Sequence, residues 1–346
     1  MKTNGPAGLV AILIIILFPM SLSAAVVDWV SGEVSYSHYR AEWNDVEVGM
    51  NLGAGDIIKT GIDSEAILVE DGGEIHILEN TEFTMSERVE GQQKKPTLML
   101  FLGRMKFKLG RGATKEPEIQ TQTVNLAIRG TEFEVGSGFD GSTIVLLTDG
   151  SVAVQGKTQE LILVEGEGTE VEFGDEPKEK FKVMERVIDW DEWFTLSEEA
   201  IKGNEATLLK RMLERFEDIN RQIEEYEAIR SGALGEKESL IAKRDESVED
   251  GDMDQASEYA KKANEKGKIA FHSIINIRFL SLSSIGLYDM AERIYTGIEE
   301  PTKDIMDLFE DIEKVYRSIE QRYIREGDRE RLEEKATQRK GCLTLF

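Results

Sequence analysis

Scarcity narrows this chain first. Among its 346 residues there is one cysteine, Cys342, so neither an intramolecular disulfide framework nor a cysteine-rich zinc site can form. Its three histidines, His38, His76 and His272, are scattered and offer little for a metal or acid–base centre. Positive charge is short: 42 basic against 67 acidic side chains leave a formal net charge of −25. That balance disfavours nucleic-acid phosphate and anionic lipid heads as partners. Catalytic signatures are missing as well, with no Gly-x-Ser-x-Gly elbow, no HExxH and no phosphate loop. Asp250, Asp252 and Asp254 have calcium-ligand spacing, but Gln255 and Lys261 stand where such a loop needs Gly and Glu. The expectation is a protein that is not an enzyme and holds no cofactor or metal.

What is present begins with an address. Lys2 is the only charge in residues 1–25, and the apolar run Ala7 to Leu22 is 16 residues long, short for a membrane span. Small residues Ser23, Ala24 and Ala25 follow, so residues 1–25 read as a signal peptide cut after Ala25. The expected location is periplasmic or secreted, with a membrane attachment only if this segment stays uncut.

The mature chain then changes character near residue 194. Residues 26–194 hold all four tryptophans, 20 glycines and a net charge of −17; residues 195–346 hold no tryptophan, nine glycines and −9. The first part alternates in short apolar runs between glycines. Leu98, Leu100 and Leu102 precede Gly103, and Met105, Phe107 and Leu109 follow it. Ile144 to Thr148 faces Ser151 to Val154 across Asp149-Gly150, a hairpin signal. These patterns predict a small all-β domain over 26–194 with roughly a dozen short strands, as a solenoid-like roll or a sandwich. Residues 188–194, with Asp189, Trp190, Asp191 and Trp193, form the densest chemical cluster. Aromatics beside carboxylates suit either a glycan contact or a pin between the two halves.

Residues 195–346 carry apolar positions at helical spacing, from Leu208 and Leu209 through Met212, Phe216, Ile219, Ile223 and Tyr226. Breaks at Ser231-Gly232, Asp250-Gly251-Asp252, Gly286, Gly297 and Gly327 predict five or six helices. The stretch 269–285 is apolar on most sides, but His272, Arg278 and its serines favour a buried central helix over a membrane span. Gly251 to Ala260 resembles Gly286 to Tyr295 at an offset of 35 residues, a weak similarity to tetratricopeptide-type hairpins. The prediction is an α-helical domain, built as a bundle or as helical-hairpin repeats.

An ordered series of motifs in the β part resembles the FecR domain family from about Val30 to Gly174. It includes Gly49-Met50-Asn51-Leu52-Gly53-Ala54-Gly55-Asp56-Ile57-Ile58-Lys59-Thr60-Gly61, then Gly103-Arg104-Met105. Its most specific element is Ile128-Arg129-Gly130-Thr131-Glu132-Phe133-Glu134-Val135. Gln122 departs from the family, which often has proline there. The family-motif positions are thus Gly55, Asp56, Thr60, Gly61, Arg129, Gly130, Thr131 and Phe133. Read physically, the glycines serve turns, and the threonines bond local backbone. Arg129 either clamps internal turns or contacts a ligand.

The resemblance implies a bacterial β domain outside the cytoplasm. In the best-known members that domain receives a signal from an outer-membrane receptor and controls a sigma factor, with a cytoplasmic helical module ahead of a membrane span. About six residues precede the apolar run here, so an anti-sigma function acting in cis is not expected. The leading expectation is a non-enzymatic exported envelope protein that binds or scaffolds partner proteins, with possible homo-oligomers through the helices. The alternatives are a signal-sensing regulator acting through another membrane protein, and a cell-wall glycan-binding protein.

Overall fold

The computed structural model describes residues 25–324 except 71–72 and 110–116. Residues 1–24 of the expected signal peptide 1–25, the Asp71-Gly72 turn, Gly327 and Cys342 lie outside the described residues, whereas Ala25 is the first residue of a strand.

Among the described residues fifteen strands form one continuous hydrogen-bonded network. In chain order they are β1 (Ala25–Ser31), β2 (Val34–His38), β3 (Asn44–Asp45), β4 (Asn51–Leu52), β5 (Asp56–Thr60), β6 (Glu65–Glu70), β7 (Gly73–Ile77) and β8 (Glu82–Glu90). Then follow β9 (Gln93–Lys108), β10 (Glu118–Gln120), β11 (Asn125–Ser137), β12 (Thr143–Gln155), β13 (Glu160–Val164), β14 (Glu167–Val171) and β15 (Phe181–Lys182). The three long strands β9, β11 and β12 each serve two layers. One layer runs β3-β2-β5-β8, the first half of β9, β10, the first half of β11, the last part of β12, then β13. The other runs β4-β1-β6-β7, the second halves of β9 and β11, the first part of β12, β14 and β15. Their inner faces share one apolar core that includes Phe83, Leu100, Phe107, Phe133, Leu147 and Val154. The β part is therefore a two-layered roll.

Each long strand crosses between layers at a glycine. Gly103 of β9, Gly130 of β11 and Gly150 of β12 have φ of +98°, +53° and +95°. Asp149-Gly150 is thus a corner inside one strand, and the hairpin expected there does not form. The inward side chains change parity at each corner: Leu98 and Leu100 before Gly103, Met105 and Phe107 after it. A residue of positive φ with a local register shift lets both runs face the same core.

Four α-helices follow among the described residues: α1 (Trp190–Glu199), α2 (Glu205–Glu249), α3 (Met253–Thr296) and α4 (Lys303–Ile319), with a π turn at Glu320–Ile324. Asp189, Asp252 and Thr302 cap α1, α3 and α4 by accepting from the backbone N–H three residues on. The breaks expected at Ser231-Gly232 and Gly286 are absent, because α2 and α3 run through them. Gly286 serves close packing: a Cβ there would lie 2.1 Å from Cδ1 of Phe101 on β9. Gly251 instead sits in the turn that joins α2 to α3, at φ +79°. The 35-residue offset therefore joins a turn to a helix interior and is not a structural period.

α2 and α3 form an antiparallel pair. Their near halves, together with α4, pack on Ile57, Met99 and Phe101 of the first layer's outer face. α3 is the helix long and apolar enough to cross a membrane among the described residues, and 72% of its most apolar window is buried inside the protein. Beyond Ile223 and Tyr226 the pair continues as a two-helix arm. Its buried residues are small: Ala233 and Ser247 on α2, and Ala256, Ala263 and Ala270 at seven-residue spacing on α3. At 1.5 Å per residue the arm reaches roughly 30 Å.

Candidate functional site

The motif side chains are used inside the roll. Asp56 accepts from the Gly53 N–H at 2.8 Å through one carboxylate oxygen, and the other lies 2.7 Å from Nδ1 of His38. Gly55 leaves no room for a side chain beside the Tyr39 ring, since a Cβ would sit 2.5 Å from it. At the corner line Thr60 donates to the Leu78 carbonyl at 2.6 Å and accepts from the Thr81 N–H at 2.9 Å. The Thr81 hydroxyl accepts in turn from the Arg104 N–H at 2.9 Å. The Gly61 N–H donates to the Glu33 backbone carbonyl at 2.9 Å. Threonine hydroxyls thus stitch successive strands where the regular ladder is interrupted. Thr131 is buried next to the Gly130 corner, and its carbonyl accepts from Leu109 N–H at 3.0 Å. Phe133 stacks on Phe107 with ring centroids 4.7 Å apart. Arg129 lies opposite Ser151 in the β11–β12 pairing, and its side chain is outside the described part.

A second group of polar residues lies where the roll meets the helices. Arg40, from the loop after β2, pairs with Asp289 of α3 and donates to the Tyr316 hydroxyl of α4 at 3.4 Å. Nearby Glu82 of β8 pairs with Lys59 of β5 at 3.1 Å. Burial, with Asp289 close by, holds the Glu82 carboxyl above the usual carboxylate range, against the pull of Lys59. Burial likewise pushes the Tyr316 hydroxyl up and the Arg293 guanidinium down. Burial opposes the charge of Arg40, but Asp289 outweighs it and the guanidinium is raised.

A carboxyl raised in the folded state adds stability below its unfolded value, and that stability is lost as pH rises through the raised value. The melting temperature of wild type minus that of Glu82→Gln should therefore rise as pH falls from about 7 to about 4. A flat difference across that range would show that the Glu82 carboxyl is not raised by its burial at the joint.

Asn276 of α3 completes the joint. Its side-chain amide accepts from the Val89 N–H at 2.7 Å and donates to the Val89 carbonyl at 3.1 Å. Gln120 of β10 donates to the Ser283 hydroxyl of α3 at 3.1 Å. Asn276→Ala strands both backbone groups of Val89 in a partly buried place, and a loss of about 2 kcal/mol in urea unfolding is expected. Sequence reading does not single out Arg40, Asp289 or Asn276. The one signal is the set of polar residues Asn276, Ser281, Ser283 and Ser284 in an otherwise apolar helix.

The cluster at 188–194 sits against the second layer. Trp193 is buried, and its Nε1–H donates to Glu170 at 2.6 Å. Trp190 packs over Gly136 and under the Arg104 guanidinium, 4.8 Å from the ring centroid. The Asp189 carboxylate caps α1, accepting from the Glu192 N–H at 3.1 Å. Asp191 is in the first turn of α1 and its carbonyl accepts from Thr195. Trp193 also borders a cleft of about 700 Å³ between β14, β15 and α1. Its three cations are held by neighbours: Arg186 by Glu170 at 2.7 Å, Lys180 by Glu167 at 2.9 Å, and Arg211 by the Phe173 carbonyl and Asp175. Among the described residues no cluster of histidine, cysteine and carboxylates could hold a metal ion.

Residues 56–153 match the FecR protein family model, so this stretch of the chain is similar to FecR proteins. No curated protein matches the chain. Two crystal structures of a proposed anti-sigma factor from Parabacteroides distasonis, at 2.50 and 1.65 Å resolution, are similar at 17% and 16% identity. Each gives a TM-score of 0.31 and covers 36% of this chain. The chain matches 59% of the length of those structures.

Proposed function

We propose that this protein is a non-enzymatic, exported envelope protein that binds a partner protein. The observation that carries the reading is how the FecR region uses its motif. Gly55, Asp56, Thr60, Gly61, Thr131 and Phe133 close turns, corners and core, so recognition falls to other surfaces. The helices supply such a surface. α2 and α3 are 45 and 44 residues long, and Ile229, Val248 and Met253 are exposed along their outer part. FecR proteins are generally associated with the bacterial envelope, which fits an exported chain.

The FecR match is equally compatible with the alternative, a signal-sensing regulator that acts through another membrane protein. A glycan-binding role has less support. A sugar stacks on an open aromatic face, whereas Trp193 is buried and Asp189 is engaged as a helix cap. The Trp190–Trp193 pair is better read as a pin that holds α1 to the sheet. Affinity capture of the whole chain after crosslinking in its native envelope tests the proposal. One enriched envelope protein is expected. Retention on purified cell-wall glycan, with no enriched protein, would overturn it.

A further inference from the structure

A second cleft, of about 500 Å³, opens between the loop joining β10 to β11, the end of β12, and the faces of α2 and α3. Its size suits a small ligand. In a chain of net charge −25, its walls are unusual. They carry Arg88, Lys157, Arg211 and Arg215 beside the carboxylates Asp175, Glu214 and Asp218.

Two of those cations, Arg88 and Arg215, share their acids with other basic groups. Asp218 lies 3.7 Å from Arg215, also pairs with Arg221, and accepts from the Gln222 amide at 3.2 Å. Glu118 holds Arg88 and, at 3.0 Å, Lys95. Arg211 donates to the Phe173 carbonyl and stands 3.7 Å from Asp175. The Arg215 side chain is 41% exposed, so its guanidinium stays partly hydrated, and the distant, shared Asp218 neutralises it only in part. An anion entering the cleft would complete this pairing at short range. The excess negative charge elsewhere acts through solvent and is screened over about 8 Å at physiological salt.

The remaining polar wall is rich in amides. Gln122, Asn125, Gln155 and Gln222 offer both donors and acceptors. That inventory matches a peptide backbone, whose N–H and C=O groups alternate. Gln122 is the residue that departs from the family pattern, and it lies here, close to Gly286 of α3.

We propose that this cleft binds a short acidic peptide segment, with a ligand carboxylate on Arg215 and Lys157 and the peptide backbone on the amide side chains. The cleft spans the roll and the helices, so an occupant touches both. The proposal does not depend on the identity of the larger partner.

Titration calorimetry of the full chain tests it, with triglutamate as the probe and triglutamine as its neutral counterpart. Triglutamate should bind at least about tenfold more tightly than triglutamine, as a charge-assisted pair would provide. Arg215→Gln should reduce that binding about tenfold. Lys157 is exposed, so Lys157→Gln should leave the fold intact while weakening binding about threefold. Equal or undetectable binding of the two peptides would overturn the proposal. So would unchanged affinity in both variants, or binding of glucuronate without triglutamate.

Discussion

Gly103→Ala is expected to prevent the roll from folding, or to cost more than about 3 kcal/mol of stability. Two effects add. The residue has φ +98°, a conformation that costs an L side chain roughly 1–2 kcal/mol. The added Cβ would also lie 2.4 Å from the Thr81 Cα, a backbone atom that no rotamer change can move. Relief would pull Thr81 from the Arg104 N–H, and with it the stitch between β8 and β9. Gly91 provides the control: its φ is +62° and nothing lies within 4 Å of a Cβ built there. Gly91→Ala should cost only about 1 kcal/mol, the backbone part alone. Urea unfolding followed by circular dichroism separates them. Similar losses at the two glycines would show that the corner is not crowded in solution.

The second large effect is expected at the joint. Arg40 and Asp289 are mostly removed from solvent, with side-chain exposures of 25% and 17%. Removing one member leaves the other's charge desolvated without its partner. Asp289→Asn and Arg40→Met should each cost about 3 kcal/mol, the low end for a buried pair because some solvent remains. The double variant should lose clearly less than the sum, since the stranded charge is gone. Strict additivity would mean that the two side chains do not act as a pair. The joint matters because it adds polar ties between the roll and the helices to the apolar contacts of Ile57, Met99 and Phe101.

Much of the architecture is legible in the amino-acid sequence, and the misreadings share a cause. The change from glycine-punctuated alternation to helical spacing separates the strands from the helices, because periods of 2 and 3.6 reflect the geometry of each backbone. Gly103 and Asp149-Gly150 are harder. A glycine between two apolar runs looks alike in a hairpin and in a strand corner. The change of parity from Leu98 and Leu100 to Met105 and Phe107 is the distinguishing mark. Gly286 misleads in a similar way. A helix interior accepts glycine when the missing side chain admits another element, and Phe101 comes from nearly 190 residues earlier in the chain. Separations as long or longer, 249 and 187 residues, hide Arg40–Asp289 and Val89–Asn276. Nothing local to either residue names its partner. The motif threonines read as binders of local backbone, but Thr60 instead bonds Leu78 and Thr81, 18 and 21 residues on, and the buried Thr131 hydroxyl has no hydrogen-bond partner among the described residues. The stitch from Thr81 to Arg104 requires knowing which strands meet.

If a partner protein is met by surfaces other than the FecR motif, site-specific photo-crosslinking in the native envelope will locate them. Photoreactive residues would replace exposed Ile229, Val248 and Met253 on the arm, and exposed Val48 and Ile62 on the roll. Adducts to one envelope protein are expected from the arm positions, unchanged when the motif variant Thr60→Ser keeps the fold. Adducts confined to the roll positions and lost in Thr60→Ser, or no protein adduct from any position, would contradict recognition by the arm.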